Sequence, residues 1–252
     1  MELTTKKHSS KKRLLQVLSE HNPSTPLFLY YAPHIVHAPL QVPDNYANKF
    51  NFIDNQKRQI YHAMVTYLDD VVGNMTEILK RRGFWDNLLL VVSSDNGGPL
   101  GSANNYPLKG GKFSDWQGGI RVNAFVTGGY LPENMRGQKT EGYIHIADWY
   151  ATFCALAGVD PTDKRAEKAK LPPIDSMNMW PFVSGQNSTS PRTDIPASKN
   201  TLISCDYKIL IRNVPKAGWT WPQNPNNTHH EVNAVEHCGD NGCLYNIKND
   251  PP

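Results

Sequence analysis

The stretch Leu88-Leu-Leu-Val-Val-Ser-Ser-Asp95-Asn96-Gly97-Gly98 carries the strongest fold signal in the chain. Its first five residues are apolar without interruption. A run of this kind is typical of a strand that is buried on both faces, as in a parallel sheet. Polar residues and two glycines follow at once, so we predict that the strand ends in a loop that can approach a ligand closely.

A long amphipathic helix precedes this strand. From Gln56 to Arg82, apolar residues recur at spacings of three and four, and Gly83 follows as a stop signal. Before the helix, Leu27-Phe-Leu-Tyr-Tyr-Ala32 is a second continuous apolar run, which predicts another buried strand. Strand, helix and strand in this order predict a right-handed βαβ unit and an α/β fold.

Weaker patterns organise the rest of the chain. We predict a short helix over 10–20, a loop with seven glycines over 95–119, a third strand over Arg121–Thr127, a helix over Ala147–Leu156 and an exposed connection over 160–200. Short strands over Leu202–Ile211 and Leu244–Ile247 predict a small antiparallel sheet. The expected domains are therefore residues 1–188, of which 1–12 form a disordered tail or a solvated helix start, and a small subdomain at 189–252.

Composition narrows the class of protein. The chain has 252 residues, of which 39% are hydrophobic and 19% charged, so a packed core is expected and general disorder is excluded. The net charge of +3 is too small to argue for nucleic acid as a partner. No apolar run approaches the roughly 18 residues of a membrane-spanning helix, and no signal peptide is visible in this chain.

Candidate site residues follow the two predicted buried strands, because ligands of open α/β sheets bind at the carboxyl ends of strands. Asp95 and Asn96 offer the carboxylate and amide oxygens that calcium or magnesium prefers. Lys112, in a glycine-rich loop, could neutralise an anion, and His37 follows the first predicted strand. Taken singly, each also fits an ordinary role: a turn, a solvated lysine or a structural histidine.

Several ordered motifs resemble one family. They are Pro26-Leu-Phe-Leu-Tyr30, Val36-His37-Ala-Pro-Leu-Gln-Val-Pro43, Ser94-Asp95-Asn96-Gly97-Gly98, Asn105-Tyr-Pro-Leu108, Lys112, Trp116-Gln-Gly-Gly-Ile-Arg121, Ile144-His-Ile-Ala-Asp-Trp149 and Cys243-Leu-Tyr-Asn-Ile-Lys-Asn-Asp250. Over roughly residues 10–250 the chain resembles the arylsulfatases of the sulfatase family, and most closely those of the arylsulfatase B (N-acetylgalactosamine-4-sulfatase) type.

The resemblance implies an alkaline-phosphatase-like α/β sandwich with a smaller C-terminal sheet. It implies hydrolysis of sulfate esters, of an aryl sulfate or of a sulfated glycan such as N-acetylgalactosamine 4-sulfate in a glycosaminoglycan. Asp95 and Asn96 match ligands of one divalent cation, usually Ca²⁺, and His37 and Lys112 match contacts to the substrate sulfate. The family nucleophile is a hydrated formylglycine, which a formylglycine-generating enzyme makes from a cysteine.

The chain departs from the family pattern in three respects. The signature Cys-X-Pro-Ser-Arg is absent, since none of the four cysteines has proline two places later. An early pair of metal-binding aspartates and a central lysine and histidine also have no counterpart. We therefore expect a partial sulfatase fold, matching the C-terminal portion of the family, without the nucleophile. Weak calcium binding, no activity of its own and poor solubility are the expected consequences.

Sequons and cysteines bear on the compartment. Asn74, Asn187 and Asn226 begin N-glycosylation sequons. One disulfide among Cys205, Cys238 and Cys243 is plausible in an oxidising compartment, and Cys154 is expected to be a buried free thiol. The resemblance implies a lysosomal or secreted protein.

Other functions remain open at this level. A catalytically inactive sulfatase-like protein could bind sulfated glycans through Lys112, His37 and the basic N-terminal residues. A phosphohydrolase of the same superfold is another reading. A zinc module is a weaker one, because its spacing fits no familiar zinc pattern. Its candidate ligands are His229, His230, His237, Cys238 and Cys243.

Overall fold

The computed structural model describes residues 2–219 and 233–249, with side chains from residue 10 onward. The helices are α1 Glu2–Glu20, α2 Asp44–Ala47, α3 Gln56–Arg81, α4 Gln117–Ile120, α5 Asp148–Leu156, α6 Lys164–Lys168 and α7 Trp180–Val183. The strands are β1 Leu90–Ser93, β2 Ala124–Thr127, β3 Asp194–Ser198, β4 Thr201–Ser204, β5 Tyr207–Leu210, β6 Asn213–Pro215, β7 Val235–His237 and β8 Cys243–Asn246. Helix α1 includes residues 2–12, which the sequence left as a tail or a helix start.

The packing of α3 against α1 forms the largest cluster of buried apolar residues. Leu14 and Leu18 of α1 lie in one cluster with Met64, Tyr67 and Val71 of α3. The side chain of Asn55 caps α3 by accepting a hydrogen bond from the Arg58 amide at 3.2 Å. Gly83, at φ +77°, follows the end of the helix in the left-handed conformation that glycine adopts readily. The predicted helix is confirmed, ending one residue earlier than expected.

The parallel βαβ unit is not formed by the described residues. Strand β1 pairs with β2 in the antiparallel direction, with Leu90 opposite Thr127 and Ser93 opposite Ala124. The expected third strand therefore exists, over four residues rather than seven, and it is the neighbour of β1 in a two-stranded sheet. The sheets of the described chain are all antiparallel.

The prediction of a buried strand over 27–32 is wrong for this structure. The segment is extended but belongs to no sheet, and the side chains of Phe28 and Tyr30 are 74% and 83% exposed. Neighbours cover it only in part: Tyr31 packs against the α1–α3 cluster, and the Phe28 ring lies 5.6 Å from the Phe153 ring. An apolar run predicts burial only if a neighbouring strand accepts its backbone hydrogen bonds, and no described strand does so.

Helix α5 and the segment after it form a second buried layer. The helix begins one residue later than predicted. Residues 160–200 are not the fully exposed connection that we expected, because Met179, Phe182 and Val183 of this segment are buried. Met179 and Val183 pack with Trp149 of α5 and Leu131.

The C-terminal antiparallel sheet is confirmed. Its order is β3-β4-β5-β8, and β6 and β7 form a separate pair. The predicted strand over Leu202–Ile211 is a hairpin, since a turn at Cys205 and Asp206 separates β4 from β5. A disulfide joins Cys238 to Cys243, at the start of β8.

Candidate functional site

The Asp95–Asn96 pair follows the end of β1 and lies beside β2. The Ser94 amide donates to the Asn123 carbonyl at 3.0 Å, which extends the β1–β2 contact by one residue. The next side chain, Asp95, is exposed, and that of Asn96 is half-buried. The Asn96 Nδ2 donates to the Gly97 carbonyl at 2.9 Å, which leaves its Oδ1 as the oxygen that could bind a ligand.

The two glycines after Asn96 allow a second loop to pack directly on the first. The Gly97 amide donates to the Gly119 carbonyl at 2.8 Å. A Cβ atom on Gly97 would lie 1.7 Å from the Gly118 oxygen, so no other residue fits without moving the backbone. Asn105 completes the junction, since its Oδ1 accepts from the Gly98 amide and its Nδ2 donates to the Gly98 carbonyl, both at 2.9 Å.

Lys112 belongs to this same cluster of loops. Its amide donates to the Gly98 carbonyl at 3.0 Å, and its side chain is half-buried. The Nζ atom lies 5.3 Å from the centre of the exposed Phe113 ring. Thus Lys112 and the Asp95–Asn96 pair come from segments about fifteen residues apart, yet one backbone hydrogen bond joins these segments.

His37 lies on a different segment. Its side chain is exposed, and Nδ1 lies 2.7 Å from the carbonyl oxygen of Ala38. The nearby Ile35 is buried against the α1–α3 cluster, which places this segment beside α3. Burial first and the charge of Asp95 second raise the pKa of Tyr61 in α3. No hydrogen bond or ion pair of the described residues joins His37 to Asp95, Asn96 or Lys112.

The sequence analysis missed a buried polar group that contacts residues 109–119, which we call the Lys112 loop. The side chain of Lys208 in β5 is fully buried, and its Nζ donates to the Asp115 carbonyl and to the Gln117 Oε1 atom. Burial lowers the pKa of Lys208 to about 7, and the charge of Asp115 partly opposes this. The period-two pattern of β5 was an available signal, since Lys208 shares its inward face with the buried Leu210.

The donor set is too small for a complete calcium site. Asp95 and Asn96 supply two hard oxygens, whereas Ca²⁺ takes about 6–8. Within the described parts of the chain, no three His, Cys, Asp or Glu side chains are placed to hold one metal ion. The residues present fit a portion of a divalent-cation site and not a whole one.

The zinc hypothesis is contradicted where the structure tests it. Cys238 and Cys243 are joined in a disulfide and cannot act as zinc thiolates, and Nδ1 of His237 lies 2.8 Å from Asn213 Oδ1. His229 and His230 lie outside the described residues. Cys154 and Cys205 are free thiols, but Cys154 is half-buried rather than buried and Cys205 is exposed.

Two of the sequons can be placed. Asn187 is exposed and follows α7. Asn74 is half-buried within α3, and its Nδ2 donates to the Asp70 carbonyl. Asn226 lies outside the described residues. Over the described helices, none is long and apolar enough to cross a bilayer.

Comparison with known proteins identifies the same family along most of the chain. The family model described as Sulfatase matches residues 4–159. Arylsulfatase J of Mus musculus is 34% identical over 95% of the chain and 43% of its own length. The N-acetylgalactosamine-6-sulfatase of Homo sapiens is 33% identical over 62% of the chain and 28% of its own length. The chain thus spans less than half the length of these curated relatives.

Solved structures show the same architecture. The crystal structure of Ps i-CgsB in complex with k-i-k-neocarrahexaose is 28% identical, with a TM-score of 0.71 over 96% of the chain and 48% of that protein. The PsFucS1 sulfatase from Pseudoalteromonas sp. has a TM-score of 0.69 at 22% identity, over 96% of the chain and 45% of that protein, which concerns the fold alone. The fold is accordingly of the alkaline-phosphatase-like α/β type that the sequence analysis predicts.

Proposed function

Because the chain belongs to the sulfatase family, we propose that the protein acts on sulfate esters through a site built around Asp95, Asn96 and Lys112. One observation carries the proposal: the Lys112 amide donates to the Gly98 carbonyl, next to the Asp95–Asn96 pair. This contact supports a site in which the Lys112 side chain and a cation held by Asp95 and Asn96 would bind the same sulfate group. The family hydrolyses sulfate esters; for this chain, the reaction is a proposal.

The charges suit the chemistry of a sulfate ester. The substrate carries one negative charge, and further charge develops on the leaving oxygen as the S–O bond breaks. The half-buried Lys112 would stabilise this charge, and His37 would donate a hydrogen bond or a proton. Removing one such electrostatic partner in a working active site costs about 3–4 kcal/mol of barrier, or ~100- to 1000-fold in rate.

Two parts of the family's active site, the nucleophile and most ligands of the divalent cation, would have to come from residues outside this sequence. A hydrated formylglycine, made by formylglycine-generating enzyme, would supply the nucleophile, and no cysteine of this sequence lies in the required Cys-X-Pro-Ser-Arg context. A divalent cation such as Ca²⁺ would take Asp95 and Asn96 as two of its ligands. Since two oxygens are too few, the calcium affinity of the chain by itself is expected to be weak.

We propose a sulfated glycan as the substrate class. The support is indirect: one relative is named for N-acetylgalactosamine 6-sulfate chemistry, and a structural neighbour of 28% identity binds a neocarrahexaose. Within this class we retain the finer hypothesis of an arylsulfatase B-like specificity for N-acetylgalactosamine 4-sulfate in dermatan or chondroitin sulfate. Small aryl sulfates are the corresponding laboratory substrates.

We also propose a lysosomal or secreted, glycosylated protein. The disulfide between Cys238 and Cys243 supports an oxidising compartment. Exposure of Asn187 after α7 supports glycan attachment there. Asn74 would have to release its bond to the Asp70 carbonyl before modification, and Asn226 is proposed from its sequon alone.

A second candidate is a sulfatase-like protein that binds sulfated glycans without cleaving them. The absence of the nucleophile motif from residues 1–252 favours it for the chain as it stands. Both candidates use the same Lys112 loop, so they differ in sulfate release and not in binding.

The test is binding of a chondroitin 4-sulfate tetrasaccharide to the full chain, measured by titration calorimetry at low salt. We expect Lys112→Ala to weaken binding about tenfold or more, as for a lost hydrogen bond to a charged group. Lys139→Ala, which removes an exposed lysine elsewhere, is the matched control and should bind normally. Equal affinity of both variants would contradict the proposed site.

Sulfate release from the same tetrasaccharide and from a chromogenic aryl sulfate separates the two candidates. Binding without release supports the binding protein for this chain, and the hydrolase then needs a nucleophile from outside residues 1–252. Robust turnover by the purified chain would overturn our assignment of the nucleophile.

A further inference from the structure

The loop that carries Lys112 packs against the β6–β7 pair and against the four-stranded C-terminal sheet. Three polar contacts join this loop to residues 213–219 and 233–236: the Gly110 amide donates to the Gly218 carbonyl at 2.9 Å, Trp116 Nε1 donates to the Pro215 carbonyl at 3.0 Å, and Lys109 Nζ lies 3.2 Å from Glu236 Oε2. The loop therefore takes its position from residues about a hundred positions away.

Two hydroxyl groups of the sheet also hold the loop. The Oδ2 atom of Asp115 accepts hydrogen bonds from Ser198 Oγ, at the end of β3, and from Thr201 Oγ1, at the start of β4, both at 2.7 Å. Thr201 is buried, Asp115 is half-buried and Ser198 is exposed. Asp115 is only three residues from Lys112.

A further contact comes from Lys208 in β5 of the sheet. Its Nζ atom donates to the backbone carbonyl of Asp115 and lies 3.3 Å from Gln117 Oε1. Among the described residues, Asp115 is the charged group that acts on its pKa. Burying the Lys208 side chain costs free energy, because burial disfavours its charged form. A buried apolar residue of similar length would avoid this cost but would lose both hydrogen bonds.

The geometry points to Lys208 as a positioning residue for Lys112, an inference that rests on the proposed function of the loop. The path is short. Lys208 holds Asp115, and the turn between Asp115 and Lys112 is closed by Ser114, whose Oγ donates to the Gly111 carbonyl at 2.7 Å. From there the Lys112 amide reaches the Gly98 carbonyl. Lys208 thus sets the distance between the lysine and the Asp95–Asn96 motif without touching the ligand.

The test is Lys208→Met in the full chain, since methionine is close in length and carries no charge. We expect the affinity for the chondroitin 4-sulfate tetrasaccharide to fall about tenfold while the thermal midpoint changes little, because the removed cost of burying a lysine offsets the lost hydrogen bonds to the Asp115 carbonyl and Gln117 Oε1. A merely structural role would lower both. Lys248→Met, which removes an exposed lysine of the same region, is the control and should leave affinity unchanged.

A ligand-free measurement separates this inference from the proposed function. Amide hydrogen exchange at Lys112, Gly118 and Gly119 should be faster in Lys208→Met, with exchange in α3 unchanged. If Lys112→Ala binds normally while loop exchange still responds to Lys208→Met, the proposed function fails and the positioning of the loop stands. Unchanged exchange and unchanged affinity in a folded Lys208→Met would overturn the inference.

A second variant covers the case in which Lys208→Met does not fold. The double change of Ser198→Ala and Thr201→Val removes the two hydroxyl groups that donate to the Asp115 carboxylate. Lys208, in contrast, donates to the backbone carbonyl of Asp115. We expect faster loop exchange and a similar loss of affinity. Slow exchange and normal affinity in this variant would show that the attachment to the sheet does not position Lys112.

Discussion

At the scale of single residues, Asp148 shows how one buried carboxylate joins distant segments. Both of its oxygens accept from Arg192, with Nε–Oδ2 at 2.7 Å and Nη2–Oδ1 at 2.5 Å. The same carboxylate accepts from the amides of His145 and Met177. Both charged side chains are buried, so each depends on the other for compensation of its lost hydration.

Removing one partner of this ion pair should be costly. We expect Arg192→Ala to lower the free energy of unfolding by about 3–5 kcal/mol, because Asp148 would be left buried without a counter-charge. Urea denaturation followed by circular dichroism measures the change. Arg81→Ala, at an exposed ion pair with Glu77 in α3, is the control and should cost less than about 1 kcal/mol. Equal losses for the two variants would contradict this view of the Asp148 pair.

The lowered pKa of Lys208 predicts that the free energy of unfolding depends on pH. Its pKa is about 7 in the folded chain, below the ordinary 10.5, so between these values the unfolded chain holds a proton that the folded chain does not. The free energy of unfolding should therefore rise with pH across this interval, by up to about 1.4 kcal/mol per pH unit from this group. Below pH 7 both states are protonated, and this contribution stays constant.

The measurement is denaturant unfolding from pH 6 to 10 for the native chain and for Lys208→Met. The difference in unfolding free energy between the two should change with pH above 7 and level off below it. Parallel curves over the whole range would mean that Lys208 keeps an ordinary pKa.

At the scale of single elements, α3 is stabilised at its first turn by one side chain. Asn55 accepts a hydrogen bond from the Arg58 amide, which would otherwise have no partner within the helix. We expect Asn55→Ala to cost about 1 kcal/mol and Asn55→Ser to cost much less, since serine also caps helices well. Thermal unfolding of the two variants gives the comparison. A loss as large for serine as for alanine would point to a different role for Asn55.

The extended segment 27–32 illustrates the opposite case, an element whose environment is incomplete. Its apolar side chains alternate between two layers, with Tyr31 toward the α1–α3 cluster and Phe28 toward Phe153 of α5. Its backbone, however, has no strand beside it among the described residues. The apolar pattern is thus satisfied on part of its surface only, and Phe28 and Tyr30 remain exposed to water.

At the scale of the whole molecule, this exposed apolar surface should drive self-association. Aromatic side chains exposed side by side on an extended, unpaired backbone are a known liability. We expect the chain to form oligomers at high concentration and Phe28→Ser with Tyr30→Ser to shift it toward monomer. Sedimentation velocity measures the change. Phe52→Ser, at an equally exposed aromatic residue outside the segment, is the control. A sharp monomer peak of the native chain at high concentration would contradict the prediction.

Local sequence alone determined the parts of this protein that depend on short-range spacing. The periodicity of α3, the turn chemistry of the Asp95–Gly98 motif and the alternation of the C-terminal strands are all readable from neighbours within a few positions. The ordered motifs likewise predicted the sulfatase family, and the comparisons confirmed it. One backbone hydrogen bond joins the segments that carry Asp95, Asn96 and Lys112, and a shared site formed by their side chains stays a prediction.

Only the tertiary structure decided which distant segments meet. Burial of a strand depends on a partner elsewhere in the chain, so the apolar run at 27–32 could not reveal that its partner is absent from the described residues. The attachment of the Lys112 loop to Lys208 spans more than ninety positions, and the Asp148–Arg192 pair spans forty-four. Such contacts follow from chain folding in three dimensions, where an ionised side chain is tolerated inside only if its distant partners arrive with it.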